Sequence, residues 1–481
     1  VTDATGTDFL QLDRSSAPAR DLTGWLAQEL RTAISDGRLR PDAAVPPSRT
    51  LATELGVSRG VVVQAYQRLI DEGLLVTRPG SGTTVAAGTA HPDRLPPAPD
   101  SAPTEVRFNL SPGLPDLAAF PRTAWLRAER AVLQQVRADQ LGYGDPRGSV
   151  VLREQLARWL ARTRGLRVEA NDIIVVAGVA QALALLAQKL VADRSPRIAV
   201  EDPGSRGTRE ELRYWGMDPV PVPVDEDGMD GTALAATDVR AALLTPAHQF
   251  PTGAVLGPER RRAIVTWARD TGGVIIEDDY DAEHRYDRAP VPALQASAPD
   301  HVAHTGSTSK TLAPGLRLGW LVPPRHLYDD LVRAKYHNDL GSPALGQLVL
   351  AQMLATGGHD RHLRAVRTRQ RARRDAVVDA VRRYLPSARI EGVAAGLHVL
   401  LTFPTAAQDL DDAALARTLA ANGVLVQPLS GHRVRPGPPG LILGYAALSP
   451  DRLRQAVQVM AGALADAGAA TSAQPHAAAV S

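Results

Sequence analysis

Between residues 105 and 466 the chain repeats one pattern: a stretch of helical periodicity, then a short and almost wholly apolar run. The runs include DIIVVAG (172–178), RIAVEDPG (197–204), RAALLTP (240–246) and GGVIIEDDY (272–280). Strand-like runs that alternate with helices suit a parallel sheet, because each return to the next parallel strand needs a crossover as long as a helix. The pattern predicts an α/β domain on a largely parallel sheet.

The rest of the chain differs in texture. Residues 20–86 form a compact helical pattern closing on a short β-like piece. Residues 87–104, AGTAHPDRLPPAPDSAPT, are rich in proline and alanine and read as a linker. After Asp466 the small-residue sequence AGAATSAQPHAAAVS (467–481) reads as a disordered tail. A chain of 481 residues is too long for one compact core, which agrees with a multidomain reading. No run of eighteen apolar residues exists, so no membrane span is expected. The first residues, VTDATGTDFLQLDRSS, carry early acids and no apolar core, so no secretory signal is expected and the location reads as cytoplasmic. Cysteine is absent, which excludes disulfides and thiolate metal sites. The net charge of +2 points to no partner by itself.

The N-terminal pattern is specific. A helix is expected over about Leu22–Ile34. Pro47 and Ser48 can cap a second helix bearing Leu51 and Leu55, Gly56 breaks it, and Ser58 can cap a third with Val62, Ala65, Tyr66 and Leu69 on one face. Two short helices joined by a glycine turn make a helix-turn-helix unit. LLVTRPGSGTTVAA follows as two strands around a turn, which reads as a wing with Gly80 and Ser81 at its tip. Arg49, Ser58, Arg59 and Gly60 lie where such a unit reaches phosphates and base edges of double-stranded DNA. Bulk charge does not announce this: residues 1–86 hold nine Arg against ten acids, and residues 38–81 hold six against four.

The chain has only three lysines, Lys189, Lys310 and Lys335, against 51 arginines. Lys189 and Lys335 sit in helical patterns, whereas Lys310 lies in the turn GSTSKTLAPGLRLGW (306–320). A lysine that forms an imine needs a lowered pKa and fixed geometry, and pyridoxal 5′-phosphate is the cofactor that uses one. Ser307 and Ser309 flank it with hydroxyls, and Arg317 can return as a planar fork onto phosphate oxygens. Asp278, at the end of an apolar strand, can hold a pyridine nitrogen protonated. Tyr280, two residues on, points to the same side and can bond the 3-hydroxyl. Asp278 and Asp279 could instead form a solvated acidic loop or a metal pair. No clustered histidine accompanies them in sequence, and no metal is expected. A strand turning at Gly178 into a helix leaves free amides near Val179, Ala180 and Gln181, a seat for phosphate. TPAHQFPTG (245–253) places His248 at the carboxyl edge of the sheet.

These four pieces, in this order, resemble fold-type I aminotransferases of the class I/II group over about 105–465. Residues 39–85 resemble the winged helix-turn-helix of GntR-type regulators. That family's pattern is L-x-P-x-x-x-L-P-S-R-x-L-A-x-x-L-G-V-S-R with a later G-S-G-T-x-V. This chain has LRPDAAVPPSRTLATELGVSR and GSGTTV, departing mainly at Val45 and Pro47. Both halves together resemble MocR-type bacterial regulators. The resemblance implies an α-rich winged helix-turn-helix domain joined to an α/β aminotransferase-like domain that binds pyridoxal 5′-phosphate. It makes Lys310 the aldimine lysine, Asp278 the ring-nitrogen partner, Tyr280 the 3-hydroxyl partner, and Arg317 with Ser307 a phosphate clamp. It also implies a homodimer with Tyr143 contributing across the interface, and a DNA-binding regulator that senses the cofactor or its adduct with an amino compound. The alternative is a competent aminotransferase carrying a DNA-binding domain. Two departures favour the sensor. Ser205 replaces the family's ring-stacking aromatic, with Tyr214 and Trp215 as nearby rings, and Ile442 stands where an arginine commonly anchors a substrate carboxylate. Arg433 and Arg435 are the nearby cations in sequence.

Overall fold

The computed structural model describes residues 17–18, 21–78, 82–86, 106–286, 291–403 and 410–472, with residues 466–472 and Arg78 given by backbone alone. The wing tip expected at Gly80 and Ser81, the linker 87–104 and residues 473–481 of the tail lie outside the described residues. The chain divides into two compact units, Val1–Ala102 and Pro103–Ser481. Among the described residues no helix is long and apolar enough to cross a membrane.

The first unit has helices Leu22–Ser35, Ser48–Glu54 and Arg59–Asp71, then strands Leu75–Arg78 and Gly82–Val85 paired antiparallel with Leu75 opposite Val85. Asp21 starts the first helix, its carboxylate accepting the Gly24 amide at 2.8 Å. The other two helices begin differently from expectation. Pro47 and Ser58 hold their cap positions without a side-chain bond. The Ser48 hydroxyl instead accepts from Arg59 Nε at 3.3 Å, tying the second helix to the start of the third. Gly56 takes φ +61° in the turn between them, a left-handed conformation that glycine adopts without strain. The predicted apolar face closes the core: Leu26, Leu30, Leu51, Val62 and Leu69 are fully buried.

The second unit is built on an eight-stranded sheet. Its spatial order is Ile174–Val176, Gly319–Val322, Val302–Ser307, Val274–Asp279, Ala241–Leu244, Arg197–Asp202, Asp218–Asp225, Gly228–Met229. The five strands from Val302–Ser307 to Asp218–Asp225 are mutually parallel. Gly319–Val322 runs against both neighbours, so Ile174–Val176 again shares the common direction. All four sequence runs read as strands fall in this sheet. A second, antiparallel sheet of Arg389–Glu391, His398–Thr402, Gly440–Gly444 and Gln427–Pro428 packs with helices Gly358–Tyr384 and Pro450–Ser472 around Val377, Val381, Leu401, Leu441 and Val457. That last helix runs on to Ser472, past the boundary read at Asp466.

A buried ionic knot lies beneath the sheet edge. Arg164, 2% exposed, donates from Nε and Nη2 to the two oxygens of Asp279 at 2.6 and 3.0 Å. The neighbouring Glu277 carboxylate accepts the backbone amides of Leu294 and Gln295 at 2.7 and 3.0 Å, and His304 stands between the two acids. Removing one partner of such a pair strands the other charge without water. Arg164→Met is therefore expected to lower unfolding free energy by about 3–5 kcal/mol. Urea denaturation of the second unit's transition checks this, and a loss below about 1 kcal/mol would mean Asp279 is held by something else.

Candidate functional site

Parallel strands deliver their carboxyl ends to one edge, and there a cavity of about 520 Å³ opens. Its walls come from loops far apart in sequence: Val179 and Ala180 after the first strand, Glu201 to Ser205, Thr245 and Phe250, Asp278 and Tyr280, and Ser307 to Lys310. Arg317 precedes the antiparallel strand and so arrives at the same edge. Pro112, Gly113, His398, Gln427 and His432 close the far side.

One end of the cavity is built for an anion. Gly178 caps the helix Val179–Ala192 at φ +91°, and a Cβ there would stand 3.2 Å from the Arg317 guanidinium. The Val179 and Ala180 amides open the helix and have no acceptor within it. Arg317 itself sits in the left-handed region at φ +50° and donates to the Ala177 carbonyl. Ser307 and Ser309 line the same wall. Gln181 lies in the same turn, but its side chain is committed elsewhere. Its Oε1 accepts the Ala177 amide and its Nε2 donates to Asn338 and Asp339, each at 2.8 Å, so it braces the turn and does not line the cavity.

The opposite end holds the lysine and its acids. Lys310 is half-buried, and its Nζ donates to the Gly113 carbonyl at 2.6 Å. Burial pushes its pKa down, with Asp278 and Asp281 partly holding it up. Asp278 and Tyr280 both line the cavity, while Asp279 between them points to the other side and binds Arg164. Asp278 Oδ1 is buried without a hydrogen-bond partner, and burial with the charges of Asp279 and Asp281 pushes its carboxyl up to about 7. Burial also raises the Tyr280 phenol well above its usual value, with Asp281 and Asp278 adding to it, and its hydroxyl lies 3.2 Å from His248 Nδ1.

An unpartnered acid facing the cavity opposite a desolvated lysine suits a protonated ring nitrogen, and the anion seat suits a phosphate. The residues present therefore fit pyridoxal 5′-phosphate, whose ring serves as an electron sink when bound. His248 stands behind the wall: it bonds Asp281 through Nδ1 at 2.8 Å and acts on the site through Tyr280. No cluster of histidines accompanies the acidic run in sequence. The fold gathers two, because the ligand atoms of His248, Asp281 and His398 lie within 4.8 Å of one another. Both histidines also bond within the protein, His248 Nδ1 to Asp281 at 2.8 Å and His398 Nε2 to the Pro251 carbonyl at 3.2 Å.

Several expected residues lie elsewhere. Tyr143 is 92% exposed and borders a second cavity. Tyr214 and Trp215 meet edge to face with ring centres 5.1 Å apart and do not line the first cavity, so neither replaces the ring missing at Ser205. Ser205 lines it and caps the helix Arg206–Tyr214 by accepting the Thr208 amide. Arg433 and Arg435 stay outside the lining, and the Val434 and Arg435 amides donate to Asp202. The second guanidinium in the wall belongs to Arg209, which is occupied by the Gly204 and His432 carbonyls at 2.8 and 3.0 Å. Ile442 is fully buried among Leu400, Leu429 and Phe250.

Glu201 is the most telling residue missed. It is buried in the cavity wall, accepts from Thr245 Oγ1 at 2.6 Å, and burial pushes it up to about 7. Like Asp278 it is an acid closing an apolar run, a signal present in the sequence. In the first unit Arg49, Ser58, Arg59 and Gly60 are all exposed around the start of the third helix.

Two family models match the chain: aminotransferase class I and II over residues 107–460, and bacterial regulatory proteins, gntR family, over 22–85. The HTH-type pyridoxine biosynthesis transcriptional regulator PdxR of Corynebacterium glutamicum is 36% identical over 89% of this chain and 93% of its own length. The probable rhizopine catabolism regulatory protein MocR of Rhizobium meliloti is 32% identical over 91% and 92%. Among solved structures, LysN, an α-aminoadipate aminotransferase from Thermus thermophilus complexed with N-(5′-phosphopyridoxyl)-L-leucine, matches with TM-score 0.68 and 26% identity, covering 76% of this chain and 93% of that one.

The Asp278 carboxyl yields a pH prediction. Its folded pKa is raised from 3.8 to about 7, so between those values the folded state binds more protons than the unfolded. Stability contributed by this group therefore falls as pH rises through that window. Without cofactor, Asp278→Asn should gain about 1–3 kcal/mol over the parent on going from pH 5 to pH 8. It should also bind pyridoxal 5′-phosphate more weakly. Denaturant titration at the two pH values checks the sign, and a parent that gains on the variant would contradict the burial argument.

Proposed function

The chain belongs to the MocR-type regulators, a gntR-family module joined to an aminotransferase class I and II domain, and from that premise we propose a DNA-binding transcriptional regulator that senses pyridoxal 5′-phosphate. The observation that carries the reading is Asp278 Oδ1, a buried acceptor left without a partner in a cavity that also holds Lys310. In this reading Lys310 holds the cofactor covalently, Asp278 keeps the ring nitrogen protonated, and Tyr280 bonds the ring oxygen. Gly178, Val179, Ala180, Ser307, Ser309 and Arg317 hold the phosphate. The Gly113 carbonyl accepts a hydrogen bond from Lys310 and orients it. Arg59, with Arg49, Ser58 and Gly60, faces DNA.

The signal is the cofactor itself or its adduct with an amino compound. The cavity favours the first. Among the described residues, the lining guanidiniums are Arg317 at the phosphate seat and Arg209, already bound to carbonyls. The far side carries imidazoles that burial keeps neutral, with His398 lowered to about 3 and His432 to about 4. Among the described residues no free cation there anchors a substrate carboxylate, and Ile442 is sealed in the core. Transfer of an amino group needs the substrate held in one orientation, and about 1 Å of misplacement costs on the order of 100-fold in rate. Turnover is therefore negligible in this reading.

The protein also acts as a homodimer. Leu141, Tyr143, Val150 and Leu340 are exposed apolar residues around a second cavity of about 660 Å³, a patch that a second copy would cover.

Purified protein given pyridoxal 5′-phosphate is expected to develop a visible absorbance band that Lys310→Ala lacks, and to turn over no common amino acid–keto acid pair. A full band in Lys310→Ala would remove the lysine assignment, and rapid multiple turnover would establish the aminotransferase reading instead. Arg59→Ala should cost about 1–3 kcal/mol of operator affinity and blunt discrimination among sequences. Unchanged binding to specific and random DNA would contradict the placement of the third helix.

A further inference from the structure

The helix Gly358–Tyr384 has no part in the cavity, yet it carries nine arginines and three aspartates in 27 residues, a net of +6. The whole chain is only +2, so everything outside this helix sums to −4. Its inner face is used up by the fold. Leu363, Val366, Val377, Ala380 and Val381 are buried, and Arg373 turns inward to Asp116 at 2.7 Å and to the Ala446 carbonyl. Arg367 is spent on the Glu283 carbonyl.

The outer face is another matter. Arg361, Arg364 and Arg371 are exposed. Arg361 donates to the Thr356 carbonyl at 3.1 Å, and the other two have no acidic or hydrogen-bonding side-chain partner among the described residues. Positions 364 and 371 are seven apart, so they share a face, and the three residues span about 15 Å of helix. The acid in this half, Asp360, is already held by Arg162 at 2.6 Å and by the Trp159 ring nitrogen. A solvated stabilising face would pair its charges at three- and four-residue spacing. This stretch places like charges together and is repulsive until an anion arrives. A membrane surface is a poor occupant, because the helix has no free apolar face to insert.

We infer that this ridge binds the phosphate backbone of duplex DNA as a second, sequence-independent contact surface, an inference that rests on the regulator reading above. The charge balance of the first unit points the same way. A winged helix with eight arginines against seven acids over residues 20–86 is nearly neutral and supplies little of the long-range attraction by which proteins find DNA. The arginine ridge supplies what it lacks.

The test compares full-length parent, the triple variant Arg361→Gln, Arg364→Gln, Arg371→Gln, and Arg59→Ala on operator and random duplexes across salt concentration. Each lost phosphate contact lowers the slope of log affinity against log salt by about 0.9, so the triple variant should lose roughly 2–3 in slope. It should weaken on both duplexes alike, by about 10-fold or more near 100 mM salt, whereas Arg59→Ala loses discrimination. The cofactor's visible band should be unchanged, and Arg364→Gln alone should lose about 1 in slope if the triple variant is poorly folded. An unaltered slope overturns the inference while leaving the regulator reading intact, and so does a change of oligomeric state on sedimentation, which would assign the face to a second copy. A parent that binds neither duplex sinks the regulator reading itself.

Discussion

Because the central strands of the large sheet run parallel, five loops separated by up to about 130 residues of sequence end at the same edge. That shared direction places the Gly178 turn, the Glu201–Ser205 corner, Thr245, the Asp278–Tyr280 pair and Lys310 around one cavity. The antiparallel strand Gly319–Val322 contributes by the same logic in reverse, since it starts at this edge and brings Arg317 with it. Side-chain alternation along Val274–Asp279 and beyond then sorts the acids. Asp278 and Tyr280 face the cavity, and Asp279 turns to the buried Arg164.

The distribution of buried charge separates scaffold from site. Asp279 has a bidentate arginine and Glu277 has two backbone amides, so both are satisfied within the fold. Asp278 has neither, and burial raises its pKa, which is what an acceptor reserved for a ligand looks like. Glu201 is intermediate: it is bonded by Thr245 yet still raised. The same contrast holds for the cations, where Arg209 is saturated by carbonyls and Arg364 is not.

Much of this was legible in the sequence, for identifiable reasons. Strand positions followed from apolar runs, the helix-turn-helix from periodicity broken at Gly56, and Lys310 from rarity and neighbours. Contacts across long separations were not legible. The Gly113 carbonyl that holds Lys310 lies 197 positions away, and Arg164 lies 115 from Asp279. Nothing local in either segment marks the pairing. Side-chain direction was the other blind spot. Gln181 sits in the expected turn, but Asn338 and Asp339 compete for its amide and turn it outward. His398 opens the strand His398–Thr402, and only the second sheet's position puts it beside His248.

The account stands or falls on whether the cavity and the DNA-binding module are linked. Operator affinity measured by fluorescence anisotropy at fixed salt, across pyridoxal 5′-phosphate concentration, tests this for the parent and Lys310→Ala. The prediction is a change of about 5–150-fold in the parent, half complete where cofactor binding is half complete, and no response in Lys310→Ala. Parent affinity that stays flat while the cofactor band saturates would contradict a sensing role for the cavity.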